Sequence, residues 1–215
     1  LIKVLLVDDH ILMRAGIKKL LEGVNGIQVV GEASNGEAGL ELARELQPNI
    51  VLMDIKMPGI GGLETTRRFV HSFPTIKVIA LTACTAEPFP SRMLQAGATG
   101  YVSKTRPFED VVEAIRTVFA GQRYLSSDIA QIIAMKHLSH QEESPFDNLS
   151  TREMQVMLMI ATGKKVHDIS NSLCLSSKTV NTYRYRLFEK LNIKNDVALT
   201  HLAIRHGLLG NETDA

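Results

Sequence analysis

Between Ile2 and Phe119 the sequence switches five times between a short apolar run and a longer stretch whose apolar residues recur every three or four positions. A run without polar alternation reads as a strand buried on both faces, and the three-four recurrence reads as an amphipathic helix. Five alternations predict an α/β unit with a five-stranded parallel, doubly wound sheet of order 2-1-3-4-5. The strands are expected at Ile2–Val7, Ile27–Val30, the run from Ile50 that ends on Asp54, Lys77–Thr82 and Tyr101–Ser103. The first helix should bury Met13, Ile17, Leu20, Leu21 and Val24. The second opens at Ser34 and Glu37, which have capping-box spacing, and runs through Leu46. A third begins near Gly62, and Pro88 and Pro90 crowd the start of the fourth. The fifth carries Phe108, Val111, Val112, Ile115, Val118 and Phe119 on one face.

Four of these strands finish on polar residues: Asp8-Asp9, Asp54, Thr82 and Lys104. In an open α/β sheet the carboxyl ends of the strands face the ligand crevice, so this order brings the four ends together at the switch point. Three carboxylates in one place repel each other, and a hard divalent cation such as Mg²⁺ removes that penalty. An ionised Asp54 beside such an ion can attack a phosphoryl donor and form an acyl phosphate. Thr82 and Lys104 would donate to the new phosphoryl oxygens. Singly, Asp8 or Asp54 reads as a cap or turn former and Thr82 as an ordinary strand residue; their joint placement favours chemistry. His10 reads as a helix-start residue rather than a metal ligand. His137 and His140 read as part of a solvated linker.

Val7-Asp8-Asp9, Met53-Asp54 with Met57-Pro58-Gly59, Thr82, and Gly97 through Lys104 resemble the receiver domain of two-component response regulators. The resemblance implies phosphotransfer from a sensor histidine kinase to Asp54. It implies a metal site of Asp8, Asp9, Asp54 and the Lys56 carbonyl. It also implies that Thr82 and Tyr101 are a paired switch moving inward on phosphorylation. Lys104 is followed by Thr105 where many receivers have proline.

The chain is 45% hydrophobic with a formal net charge of +1, ordinary for a globular protein. No apolar run reaches membrane-span length, the N-terminus has no signal-peptide layout, and Cys84 and Cys174 read as small buried hydrophobes of a reducing cytosol. The average charge conceals an asymmetry. Residues 1–120 carry 13 basic and 13 acidic side chains, whereas residues 148–208 carry 9 basic and 4 acidic ones. A neutral larger part joined to a basic smaller part suggests a polyanionic partner for the second.

The domain boundaries expected are 1–120 for the α/β unit, 121–147 for a linker with a helix at Ser126–Lys136, 148–209 for the basic unit and 210–215 for a tail. Glu142-Glu143-Ser144-Pro145 reads as a flexible connection. In the basic unit, Ser150 and Glu153 have capping-box spacing, and Leu149 with Met154 fits a hydrophobic staple. Val166, Ile169 and Leu173 mark a short helix, Cys174-Leu175-Ser176 a tight turn, and Ser177–Leu191 a third helix: a helix-turn-helix. Val180, Tyr183, Leu187 and Leu191 form its buried stripe. Lys178, Thr179, Asn181, Thr182, Tyr185, Arg186 and Lys190 are the candidate DNA contacts, hydroxyls and amide toward base edges, cations toward phosphates. A solvated basic face is the bland alternative, and Glu189 interrupts it.

Leu149-Ser150, Arg152-Glu153, Leu175-Ser176, Lys178 through Asn181 and Lys190-Leu191 resemble the all-α LuxR-type helix-turn-helix domain. Receiver plus this domain is the NarL/FixJ arrangement, and the segments Met57–Glu64, Asn181–Arg186 and Leu199–Gly207 are similar to the GacA/UvrY group of global regulators. That similarity implies a kinase of GacS/BarA type and activation of small regulatory RNA genes. The expectation is therefore a cytoplasmic, non-enzymatic transcription regulator that dimerises when phosphorylated, through the helix from Asp196 to His206, and binds an inverted repeat in double-stranded DNA. The rivals are a Mg²⁺-dependent phosphatase or phosphotransferase using Asp54, and a constitutive DNA-binding protein with a vestigial acid cluster.

Overall fold

The computed structural model describes residues 1–138 and 144–209. It divides into two compact units, one built from Leu1–Thr85 and Phe89–Leu138, the other from Ala86–Pro88 and residues after Leu138. The expected connection at Glu142-Glu143, His140 and the 210–215 tail lie outside the described residues.

The first unit runs β1 (Ile2–Val7), α1 (Ile11–Glu22), β2 (Ile27–Ala33), α2 (Gly36–Leu46), β3 (Ile50–Met53), α3 (Gly61–Ser72), β4 (Lys77–Thr82), α4 (Phe89–Gln95), β5 (Gly100–Ser103), α5 (Phe108–Phe119), β6 (Tyr124–Leu125) and α6 (Ser127–Leu138). The sheet is parallel in the order β2-β1-β3-β4-β5-β6. Its first five strands follow the expected order. The sixth falls in the stretch expected to be linker: Tyr124 and Leu125 pair with Gly100 and Tyr101. Two residues are too few to show a strand pattern in sequence, yet they cover what would otherwise be the open edge of β5.

The central strands are buried as their unbroken apolar runs require: every residue of β3 and β5 is inaccessible. Val4, Leu6, Ile50, Leu52, Ile79 and Leu81 form one core with Val111, Ala114, Ile115 and Val118 of α5. Two helical faces are narrower than expected. In α1, Leu21 is buried and Ile17 packs against this core, but Met13 and Leu20 are exposed, because α1 packs on β2 and β1 at one edge of the sheet. Phe119, at the end of α5, is also exposed. The cap of α2 is Asn35, whose side chain accepts the Ala38 N–H at 2.9 Å, and not Ser34. Glu37 does not complete a capping box; its carboxylate accepts the N–H of Ile60 at 3.0 Å. Pro90 fits the first turn of α4, where its missing N–H is not needed.

The second unit contains α7 (Thr151–Ala161), α8 (Val166–Leu173), α9 (Ser177–Lys190) and α10 (Asp196–Arg205). The capping box at Ser150 and Glu153 is complete, and Leu149 and Met154 are both buried beside it. Val156, Met157, Ile169, Leu173, Val180, Leu187 and Leu199 form the core. Cys174 ends α8 in the left-handed region, φ 52°, and lies exposed rather than buried as expected. Cys84 is buried, and both cysteines are free.

Candidate functional site

Register places the acids of the first unit. Val7 pairs with Met53, so Asp8 and Asp54 leave adjacent strands together, tied by the Asp54 N–H to the Val7 carbonyl at 2.9 Å. Lys104 leaves β5 beside them, its N–H donating to the Thr82 carbonyl at 2.9 Å. The Lys104 ammonium lies 2.7 Å from Asp8 Oδ2 and 2.9 Å from Asp54 Oδ2. All three side chains are nearly inaccessible. Burial alone would lower the Lys104 pKa, but the Asp54 charge and hydrogen bonds to Asp8 and Asp54 more than offset it, so the ammonium is held above its ordinary value. The other Asp54 oxygen accepts the Ile55 N–H at 2.7 Å.

Thr82 is buried and its hydroxyl accepts the Cys84 N–H at 3.2 Å. The Tyr101 ring is wholly buried, and its hydroxyl donates to the Cys84 carbonyl. The loop after β4 is thus the shared partner of both residues expected to move together. Lys56 sits half-buried in the loop after β3. Burial raises the Cys84 thiol, and the Lys56 charge opposes that rise.

Asp8, Asp9, His10 and Asp54 each turn one ligand atom into a common space in which those atoms lie within 4.8 Å of one another. His10 belongs to this group although its sequence position alone reads as a helix start. It is both: the residue before α1, and a ring with Nδ1 at 3.3 Å from Asp8 Oδ1, 3.1 Å from Asp9 Oδ1 and 4.0 Å from Asp54 Oδ2. Its adjacency to two acids at a strand end was the only signal available in sequence. Asp9 Oδ1 is buried with no hydrogen-bond partner among the described residues. Burial raises the Asp9 pKa, His10 opposes that rise, and the Asp54 and Asp8 charges reinforce it. A cluster with one carboxylate raised and one oxygen unsatisfied suits a divalent cation.

The raised Asp9 marks a site that costs the ion-free fold stability near neutral pH. Asp9→Asn should therefore raise the melting midpoint in chelator by about 2–4 °C. Saturating Mg²⁺ should close the gap, because only the wild type gains fully from binding. Thermal melts with and without the ion read both halves; an unshifted or lowered midpoint in chelator would contradict the description of Asp9.

In the second unit, Ser176 caps α9 by accepting the Thr179 N–H at 3.1 Å, and its hydroxyl lies 2.8 Å from that of Thr179. Lys178, Thr182, Tyr185, Arg186 and Glu189 line the exposed face, with Thr179 and Asn181 half-buried beside it. Two cations of α9 are paired within the unit. Arg184 makes a two-pronged pair with Asp196 at 2.7 and 2.6 Å and lies over the Phe188 ring, joining α9 to α10. Lys190, expected among the DNA contacts, is exposed and also lies 2.7 Å from buried Glu153 and 3.2 Å from the Asn148 carbonyl. Its ammonium compensates a carboxylate that folding has removed from water.

Burial alone would raise Glu153, but hydrogen bonds from Lys190 and Ser150 outweigh it and hold the carboxyl below its ordinary value. Its contribution to stability is therefore complete above the unfolded carboxylate range and disappears as pH falls through the folded-state value. Lys190→Met should destabilise the second unit by about 1–3 kcal/mol at neutral pH, with the difference shrinking in acid. Urea melts at two pH values check this. An unchanged melt with weakened DNA binding would return Lys190 to the DNA face.

Residues 4–116 match the response regulator receiver domain family, and residues 147–203 match the bacterial regulatory proteins of the luxR family. The chain is 59% identical over 210 residues to "Response regulator GacA" of Pseudomonas aeruginosa, covering 97% of this chain and 98% of that one. It is 56% identical over 214 residues to "Response regulator UvrY" of Escherichia coli K12, covering 99% and 98%. Among solved structures it is similar to a LuxR-family two-component response regulator from Aurantimonas sp., with 38% identity and a TM-score of 0.61 over 63% of this chain and 97% of that chain. It is also similar to RcsB from Salmonella enterica serovar Typhimurium, solved bound to promoter P1flhDC in the presence of phosphomimetic BeF3⁻, with 25% identity and a TM-score of 0.70 over 94% and 97%.

Proposed function

Because the chain belongs to the two-component response regulators with a LuxR-type DNA-binding domain, we propose that Asp54 accepts a phosphoryl group from a sensor histidine kinase and thereby controls DNA binding by α9. The observation that supports this most is the placement of Asp54 beside Asp8 and Lys104 at adjoining strand ends. A carboxylate oxygen of Asp54 attacks phosphorus, the N–P bond of the kinase phosphohistidine breaks, and the departing imidazole takes a proton. Asp8, Asp9 and Asp54, with the Lys56 carbonyl, would hold Mg²⁺, which neutralises charge on the transferring group. Lys104 exchanges its bond to Asp54 for one to a phosphoryl oxygen. Thr82 turns its hydroxyl from the Cys84 N–H toward another.

The Cys84 loop carries the signal outward. It accepts the Tyr101 hydroxyl and donates to Thr82, so rotation of Thr82 changes the loop that holds Tyr101. Phosphorylation then biases one of two arrangements of this loop. The phosphorylated form dimerises and places two copies of α9 on an inverted repeat, with Thr179, Asn181, Thr182 and Tyr185 toward base edges and Lys178 and Arg186 toward phosphates. Similarity to GacA and UvrY supports a kinase of GacS/BarA type and small regulatory RNA genes as targets. No helix among the described residues is long and apolar enough to cross a membrane, which suits a regulator working in the cytoplasm.

Fluorescence anisotropy on genomic fragments selected by the wild-type protein tests the coupling. Mg²⁺ with acetyl phosphate should tighten wild-type binding about tenfold, a coupling of the usual allosteric size, and leave Asp54→Asn unmoved. Equal tightening of both proteins would sink the assignment of Asp54.

A further inference from the structure

The imidazole of His10 has no part in the phosphoryl chemistry above, yet it faces the centre of the acidic cluster. From this geometry we propose that His10 is a fourth side-chain ligand of the cation site, through Nδ1, beside the three acids, and that the site thereby takes first-row transition cations of the Mn²⁺ and Co²⁺ class in marked preference to Mg²⁺. The inference rests on the reading of Asp8, Asp9 and Asp54 as cation ligands.

The backbone of His10 is fixed from both sides. Its N–H donates to Asp8 Oδ1 at 2.9 Å, and its carbonyl accepts the Arg14 N–H at 3.0 Å as α1 begins. Arg14 in turn donates to the Asp8 carbonyl. The side chain makes no cap bond to α1, so nothing in the helix competes for the ring. Nδ1 therefore stands within 3.1–4.0 Å of an oxygen from each of the three acids while two-thirds of the side chain remains exposed. With the proton on the other ring nitrogen, the same atom offers its lone pair to the space those carboxylates share.

Donor chemistry then sets the preference. Carboxylate, carbonyl and water oxygens suit Mg²⁺, Ca²⁺ and Mn²⁺, whereas an imidazole adds affinity that rises from Mn²⁺ through Co²⁺. An all-oxygen site gains little on passing from Mg²⁺ to Co²⁺ compared with a site holding one nitrogen. Asp9 Oδ1, buried and unsatisfied beside the ring, supplies the oxygen nearest this nitrogen among the three acids.

Calorimetric titration of the full chain with MgCl₂, MnCl₂ and CoCl₂, for wild type and His10→Ala, tests the proposal. The ratio of Co²⁺ to Mg²⁺ affinity should fall about tenfold or more in the variant, with the Mn²⁺ ratio falling less. Independently of any variant, the His10 ring resonances of the wild type should show the large paramagnetic shift of a directly bound ligand on loading with Co²⁺. An unchanged ratio, or a ring resonance that does not move, would overturn the proposal while leaving a carboxylate site for Mg²⁺ intact. Equal tightening of all three ions in His10→Ala would overturn it too, showing the ring to be a competing cation. Absence of any ion binding by the wild type would remove the carboxylate site along with it.

Discussion

Gly62→Ala is expected to cost the first unit about 3 kcal/mol or more, at the upper end of what overpacking does. A Cβ built at this position would lie 1.9 Å from the Asp54 carbonyl oxygen, 2.8 Å from its carbon and 2.7 Å from the Ile55 Cα. These are backbone atoms, so no side-chain rotation can make room. The close approach is part of the design of the site: the Gly62 N–H donates to the Ile55 carbonyl at 3.0 Å, and α3 starts directly against the end of β3. Relief requires α3 to withdraw from the strand that carries Asp54, so phosphoryl acceptance should fall with stability. Gly16→Ala is the matching control. Nothing lies within 4 Å of its Cβ, and in α1 alanine should gain about 0.5–1 kcal/mol over glycine. Chemical denaturation of both variants separates the two effects; a Gly62→Ala protein as stable as wild type would refute the packing described.

The second large effect is expected from Lys104→Met, which keeps most of the apolar stem and removes the ammonium. The Asp8 and Asp54 side chains, 7% and 4% exposed, then face each other without the cation that now lies 2.7 and 2.9 Å from them. Breaking a buried pair from one side leaves uncompensated charge, so the ion-free protein should lose about 3 kcal/mol or more. Saturating Mg²⁺ should restore part of that loss, because a bound cation shields the same carboxylates. It should not restore the rate of phosphoryl acceptance, which falls about 10²–10³-fold when one preorganised donor to the transferring group is lost. Denaturation melts with and without Mg²⁺, together with labelling rates from acetyl phosphate, read the two consequences separately. Full kinetic recovery in Mg²⁺ would reduce Lys104 to a charge balancer.

What sequence revealed about this protein followed from the length of its patterns. The β3 run from Ile50, ending on Asp54, is long enough to announce a buried strand and its polar end, and so are the runs that end at Asp8, Thr82 and Lys104. β6, with only Tyr124 and Leu125, has no pattern to read and exists because β5 offers an edge. The ion pairs of α9 were hidden for a different reason. Spacing shows that Arg184 and Lys190 flank the exposed face, but their acids, Asp196 and Glu153, stand 12 and 37 residues away and meet them only after folding. Leu20 and Met13 share the helical spacing of Ile17 and Leu21, yet the edge position of α1 leaves both exposed. The place of His10 among the acids was not legible, because a ring next to two acids is unremarkable until register brings Asp54 across from the neighbouring strand.

The central claim is that Asp54 is the phosphoryl acceptor, and intact mass reads it directly. Incubation with Mg²⁺ and acetyl phosphate should add the mass of one phosphoryl group to the wild-type chain and none to Asp54→Asn. An unlabelled wild type beside a labelled control receiver, or equal labelling of the two proteins, would contradict the account.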